Sequence, residues 1–185
     1  MANGTETHNV TQNGVTAPEV FTIFQPVNAG KTTAKGFELS YQQSFSFLPK
    51  PFDGTGILAN YTHVNTGDIS YGSSAAPVPM AGVSKDNYTI VAYYEGSRFG
   101  VRLNYTYRSS YLSSVPDNYF GDGDYIQGYG QLDLSATLHL TSHFDATLEA
   151  FNLGNKALSQ LDMFGINRGY ESDGRTIQLG IRAMF

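Results

Sequence analysis

Residues 131–140 read Gln131-Leu-Asp-Leu-Ser-Ala-Thr-Leu-His-Leu140, and this decamer decides the fold. Successive side chains of an extended chain point to opposite sides. Leu132, Leu134, Ala136, Leu138 and Leu140 therefore share one face, and Gln131, Asp133, Ser135, Thr137 and His139 share the other. After a tight turn at Thr141-Ser142 the pattern resumes, with Phe144, Ala146, Leu148 and Ala150 opposite Asp145, Thr147 and Glu149. Two such runs joined by a short polar turn predict a β-hairpin. The last ten residues, Thr176-Ile-Gln-Leu-Gly-Ile-Arg-Ala-Met-Phe185, repeat the alternation and set Ile177, Leu179, Ile181, Ala183 and Phe185 against Thr176, Gln178, Gly180, Arg182 and Met184.

The same reading extends upstream. Phe99, Val101, Leu103, Tyr105 and Tyr107 oppose Gly100, Arg102, Asn104, Thr106 and Arg108, and a Gly96-Ser97 turn leads back to Tyr88, Ile90, Ala92 and Tyr94. Ile57, Ala59, Tyr61 and His63 alternate with Gly56, Asn60 and Thr62. The turn Leu48-Pro-Lys-Pro-Phe-Asp-Gly54 joins them to Phe37, Leu39, Tyr41 and Phe45, with Glu38, Ser40 and Gln42 on the polar side. Asn-Tyr-Thr occurs at 60–62, 87–89 and 104–106, always with Tyr on the apolar face. That fixed register marks strand interior rather than glycosylation acceptors. Val20–Phe24 reads as strand, Pro26 and Ala29-Gly30 interrupt it, and the pattern resumes near Thr33, which fits one long irregular strand or a short hairpin. Residues 1–17, rich in Asn, Thr and Gly, read as a flexible loop or tail, and residues 18–185 as one all-β unit of seven or eight antiparallel strands.

Composition supports strands over helices. Charged residues make up 15%, below the about 25% of an average soluble domain, whereas 13 Tyr, 12 Phe and 20 Gly suit pleated surfaces and turns. A net charge of −5 with scattered Lys and Arg gives no footprint for nucleic acid. No Cys is present, so there is no disulfide framework or thiolate site. No apolar run approaches the roughly 18 residues of a transmembrane helix, but a transmembrane strand needs only about 9–11 alternating residues. Met1–His8 lacks the basic start and apolar stretch of an export signal, as expected of a mature piece or of a chain that lost its beginning.

Connection lengths alternate: short at 48–54, 96–98 and 141–142, long near 66–84, 109–127 and 154–170. Short turns on one rim and long loops on the other characterise outer-membrane barrels, and a soluble sandwich has no reason to sort its loops so. Glu38, Arg102, Arg108, Asp133, Asp145, Glu149 and Arg182 all fall on the polar face, as expected of lumen-lining positions.

The ordered pieces Gly36-Phe-Glu-Leu-Ser40, Asn60-Tyr-Thr62, Tyr105-Thr-Tyr-Arg108, Tyr129-Gly-Gln-Leu-Asp133, Glu149-Ala-Phe-Asn-Leu-Gly-Asn-Lys156 and Gly174-Arg-Thr176 running to Phe185 resemble the carboxy-terminal part of TonB-dependent outer-membrane receptors, over roughly residues 20–185. The resemblance implies an open segment of a 22-stranded barrel, a size that encloses a plugged lumen. It also implies uptake of a scarce nutrient such as an iron chelate, cobalamin or an oligosaccharide, driven through TonB and an amino-terminal plug. Gln178, Gly180, Ala183 and Phe185 are similar to the signal read by the barrel-insertion machinery, with Ala183 a small occupant of a usually bulkier position. The chain lacks the plug, the energy-coupling box and about two thirds of the strands, so alone it is expected not to transport.

Other chemistry has weaker support. Asp117, Asp122 and Asp124 crowd one loop without the ligand spacing of a calcium hand. His139 and His143 are four apart across a turn rather than on a helix, so they do not form a metalloprotease pair. Asp145 and Glu149 stand ~13 Å apart along a strand, too far for an acid/base pair. No catalytic motif, cofactor or metal is expected. The alternatives are a self-contained eight-stranded outer-membrane barrel with a structural or adhesive role, and a soluble all-β binding module. Two bare sheet edges distinguish the segment from the closed barrel, and an opposing protein layer over the Leu face is what the soluble module needs.

Overall fold

The computed structural model describes residues 2–25, 30–70, 76–115 and 123–184. The chain folds as strands β1 (Ala2–Gln12), β2 (Val15–Gln25), β3 (Ala34–Ser44), β4 (Thr55–Thr66), β5 (Asp86–Glu95), β6 (Phe99–Arg108), β7 (Tyr111–Ser114), β8 (Asp124–Ile126), β9 (Tyr129–His139), β10 (Phe144–Phe151), β11 (Leu158–Asp162), β12 (Asn167–Glu171) and β13 (Thr176–Ala183). The only helical element among the described residues is a single 3₁₀ turn, Phe52–Gly54, inside the β3–β4 connection.

Seven of these strands form one antiparallel meander in the order β13-β10-β9-β6-β5-β4-β3. Its register keeps the two faces of the sequence pattern intact across the sheet. Ile57, Ala92, Leu103, Leu134, Ala150 and Ile177 form one continuous apolar row, and Tyr93, Arg102, Ser135, Glu149 and Gln178 a polar row beside it. A slip of one residue would exchange the faces, so the solvent preference of each face fixes the register.

Among the described residues, none packs against the apolar face as a second layer. Leu39, Leu138, Ile177 and Ile181 are exposed, and Leu179 is 82% exposed. Leu134, Leu148 and Val101 are only partly covered, by strand neighbours. Among the described residues the buried apolar side chains are Val78, Leu112, Ile126 and Ala150, and three of the four lie in the long connections instead of the meander. An opposing layer of the kind a soluble module needs is therefore absent among the described residues.

Nor does the sheet close. β3 and β13 each pair on one side only, and the six antiparallel pairings between them leave the two running in the same direction. Joining them directly would make a parallel seam, so an antiparallel barrel built on this sheet requires an odd number of additional strands. The eight-stranded closed barrel is thus not the fold observed.

Two expectations change at the amino terminus. Residues 2–25, read up to 17 as a loop or tail, form the β1–β2 hairpin instead, with Thr5 opposite Thr22 and Val10 opposite Ala17. Its two-residue turn is Asn13-Gly14, both at positive φ (53° and 80°), the geometry that an Asn-Gly pair adopts most readily between strands. For 18–46, left open between one strand and two, the described residues form two, within β2 and β3, in separate sheets instead of a hairpin.

The described parts of two long connections carry strands too. Strands β7 and β8 arise within 109–128, and β11 and β12 within 152–175. They combine into a four-stranded sheet, β12-β11-β8-β7, in which Gln160 faces Ile126 and Leu161 faces Tyr125. Leu112 of β7, 1% exposed, is the large side chain buried most completely among the described residues.

Candidate functional site

The polar face of the meander and the loop sheet on its long-loop rim are where the chain concentrates hydrogen-bonding side chains. Strand alternation brings all seven charged positions to that face, but register groups them unequally. Near the short-turn rim, Asp145 faces His139 on β9 and Arg182 on β13. Its buried carboxylate accepts from His139 Nδ1 at 2.7 Å. Arg102 reaches Glu95 at 3.3 Å across the β5–β6 turn, an exposed pair of small energetic weight. Together with Ser135 and Thr137 these residues line a recess of about 260 Å³. Glu149 sits between Ser135 and Gln178, and Glu38 opposite Thr62 on the free-edge strand, without joining the cluster.

Toward the long-loop rim the polar face becomes a hydrogen-bonded ladder. The Tyr129 hydroxyl donates to Gln131 Oε1 at 2.9 Å, Gln131 Nε2 donates to Asp133 Oδ1 at 2.8 Å, and the same oxygen accepts the Asn152 amide at 2.9 Å. Asn104, opposite Asp133, keeps a buried Oδ1 without a partner among the described residues. Arg108 leaves the ladder: its Nε donates to Ser84 Oγ, an Nη donates to Gly82 O at 2.8 Å, and the guanidinium lies 3.8 Å from the centre of the Tyr111 ring. It ties the β4–β5 connection to the loop sheet.

Two knots that sequence reasoning missed hold this rim. Asn152, at φ 53°, donates through Nδ2 to Lys156 O (2.8 Å) and Gly174 O (3.0 Å) and accepts the Lys156 amide on Oδ1 (2.8 Å). The only sequence signal was its place in Phe151-Asn-Leu-Gly-Asn-Lys156, where Asn tolerates the left-handed conformation. Asp162, 3% exposed, accepts the Phe164 and Ile166 amides at 2.9 and 2.8 Å and pairs with Arg168 at 3.4 Å. It shapes the β11–β12 turn so that Phe164, 70% exposed, projects from the rim.

Of the four positions that the sequence reading compared with an assembly signal, Gln178 and Gly180 lie on the polar face of β13 opposite Glu149 and Thr147, and Ala183 lies on the apolar face opposite Phe144. Phe185 and the acidic loop positions Asp117 and Asp122 lie outside the described residues. Among the described residues no three His, Asp or Glu side chains gather in a metal-binding group.

Comparison with known proteins agrees with this architecture. No curated protein sequence matches the chain. Solved structures share its fold: the siderophore receptor PiuA from Acinetobacter baumannii at 17% identity and TM-score 0.58, matched over 82% of this chain and 22% of that one. The ferripyoverdine receptor of the outer membrane of Pseudomonas aeruginosa aligns at 16% identity and TM-score 0.58, over 96% of this chain and 23% of that one. The pyoverdine receptor FpvA from Pseudomonas aeruginosa aligns at 17% identity and TM-score 0.58, over 99% and 25%. The chain thus spans a quarter or less of the length of these receptors. Residues 4–153, the greater part of the chain, match the family described as TonB dependent receptor-like, beta-barrel, and the chain belongs to that family.

Proposed function

We propose that this chain is a wall segment of an outer-membrane receptor that takes up a scarce nutrient using energy relayed through TonB. The observation that carries the reading is the two-faced, unclosed meander: an apolar face with no second layer among the described residues, suited to lipid, backs a charged face suited to a watery lumen. Glu38, Arg102, Arg108, Asp133, Asp145, Glu149 and Arg182 line that lumen, and the long-loop rim faces the outside. Gln178, Gly180, Ala183 and Phe185 present the signal to the barrel-insertion machinery. TonB acts through the plug of the complete receptor. The segment does no enzymatic chemistry, and with two bare edges it encloses no passage by itself. An iron chelate is the favoured cargo over cobalamin or an oligosaccharide, because the structural neighbours include a siderophore receptor and receptors solved with pyoverdines.

The test is accumulation of radioactive iron, supplied as a ferric pyoverdine-type siderophore, by cells stripped of their own iron receptors and expressing the whole receptor that carries this chain. Uptake that stops when TonB is deleted is expected. Uptake that persists without TonB refutes the energised mechanism, and absence of uptake refutes the iron-chelate assignment.

A further inference from the structure

The short connections of the meander differ in character. At their tips, Ser97-Arg98 between β5 and β6 and Ser142-His143 between β9 and β10 are polar. The β3–β4 turn instead runs Phe45-Ser-Phe-Leu-Pro-Lys-Pro-Phe-Asp-Gly54. Phe47 is 73% exposed and Phe52 59%. Turns that meet water are dominated by Gly, Pro, Asn, Asp and Ser, so two exposed rings in one turn point to a surface that receives them.

That turn prolongs the apolar face. Phe37 stands at the polar end of the face, its ring stacked on His63 at 5.4 Å, and His63 Nδ1 is 2.8 Å from Asp86 Oδ1. Leu39 and Tyr41 follow on the same side, both exposed, and Gln43 interrupts the series with its amide donating to Ser44 O at 2.6 Å. Phe45 restores it: its N–H donates to Thr55 O at 2.9 Å, which carries the ladder one residue past β3. Phe45 lies eight residues beyond Phe37, ~26 Å along the strand and, at ~40° tilt, about 20 Å in depth. Apolar bands of outer-membrane barrels are ~25 Å tall, so with Phe37 at the upper edge the turn begins within about 5 Å of the lower one.

The Phe47 ring meets the Phe45 ring edge-on, 6.0 Å between centres at 81°, and so lies beside the same face. Leu48 N–H donates to Phe45 O and Phe52 N–H to Pro49 O, both at 2.9 Å, and the Thr55 hydroxyl donates to Phe52 O at 2.7 Å. A turn braced in this way loses little freedom on contact. Lys50 and Asp53 cancel in charge, so its attraction is to the apolar boundary of a bilayer and not to lipid of one sign.

We propose that the β3–β4 turn anchors the wall in the membrane interface: Phe47 and Phe52 enter the headgroup–acyl boundary of the leaflet on the short-turn side, and the partner is phospholipid. The inference rests on the membrane-spanning reading above. Continuity selects this occupant, since the turn extends the lipid-facing side of β3 to the depth where aromatic side chains settle at a bilayer surface. The anchor lies past the last ladder bond, and the two polar turns have no counterpart to it.

The experiment uses the whole receptor carrying this chain in dioleoylphosphatidylcholine vesicles, with a nitroxide on a single introduced cysteine. Its collisions are counted with oxygen, which concentrates in the bilayer, and with nickel ethylenediaminediacetate, which stays in water. Labels from Phe47→Cys and Phe52→Cys are expected to favour oxygen, and the label from Ser97→Cys to favour the nickel chelate. Leu134→Cys, at the centre of the apolar face, tests the membrane assignment separately and is expected to favour oxygen. A nickel preference at either 47 or 52 while 134 favours oxygen overturns the anchor and leaves the membrane assignment standing. Shielding of 47 and 52 from both reagents means that protein covers the turn, and overturns the anchor as well. A nickel preference at 134 overturns both.

Discussion

Arginine placed along β9 separates lipid from water as the medium of the apolar face. Leu134 stands at the centre of this strand, between Leu103 on β6 and Ala150 on β10. Leu138 is four residues nearer the short-turn rim, which is ~14 Å along the strand and, at ~40° tilt, about 10 Å in depth. An arginine at the bilayer midplane costs about 2–4 kcal/mol and near an interface about 0–1 kcal/mol. Leu134→Arg is therefore expected to destabilise the whole receptor by about 3 kcal/mol, and Leu138→Arg by at most about 1 kcal/mol. Ser135→Arg, on the polar face one residue away, is expected to stay within about 0.5 kcal/mol. Reversible urea unfolding in phospholipid vesicles, followed by the heat-dependent shift in gel mobility, reads all three. In water the gradient vanishes, because an exposed arginine is solvated at either depth. A Leu134→Arg cost within error of Ser135→Arg, or no difference between Leu134 and Leu138, would refute the lipid-facing assignment.

The rim knots give independent expectations. Asn152→Ala removes three hydrogen bonds and leaves Lys156 N and Gly174 O without their acceptor and donor, so a loss of about 2–3 kcal/mol is expected in thermal unfolding. Asp162→Ala deprives two turn amides and Arg168 of a buried carboxylate. Amide exchange is expected to accelerate across 158–171 while that of 129–139 stays unchanged, and acceleration of both would show that the loop sheet and the meander do not open separately. Gly14→Val forces a β-branched residue to φ 80°, at a cost of about 1–2 kcal/mol, and is expected to remove protection from the amides of 4–12 without altering the meander.

How much of this was legible in the sequence follows from how locally each element is determined. The seven meander strands were readable because each presents four to five consecutive alternations, the pattern that a two-sided environment selects. Strands β7, β8, β11 and β12 run only three to five residues and owe their existence to partners far along the chain, as when Gln160 pairs with Ile126. No window of local sequence holds that information. The β1–β2 hairpin was hidden by its Asn and Thr content, although Asn13-Gly14 carried the turn signal. At the site, alternation placed Asp145 and Arg102 on the correct face but could not tell that Asp145 meets His139 while Arg102 meets Glu95. Those pairings depend on cross-strand register and turn length.

The pairing of β8 with β11 has a dynamic consequence. Backbone hydrogen bonds join β8 of one long connection to β11 of another, and Arg108 of β6, 3.8 Å from the centre of the Tyr111 ring, fastens their sheet to the meander. That pairing gives strands from two separate connections one shared set of hydrogen bonds, so β8 and β11 are expected to lose amide protection together.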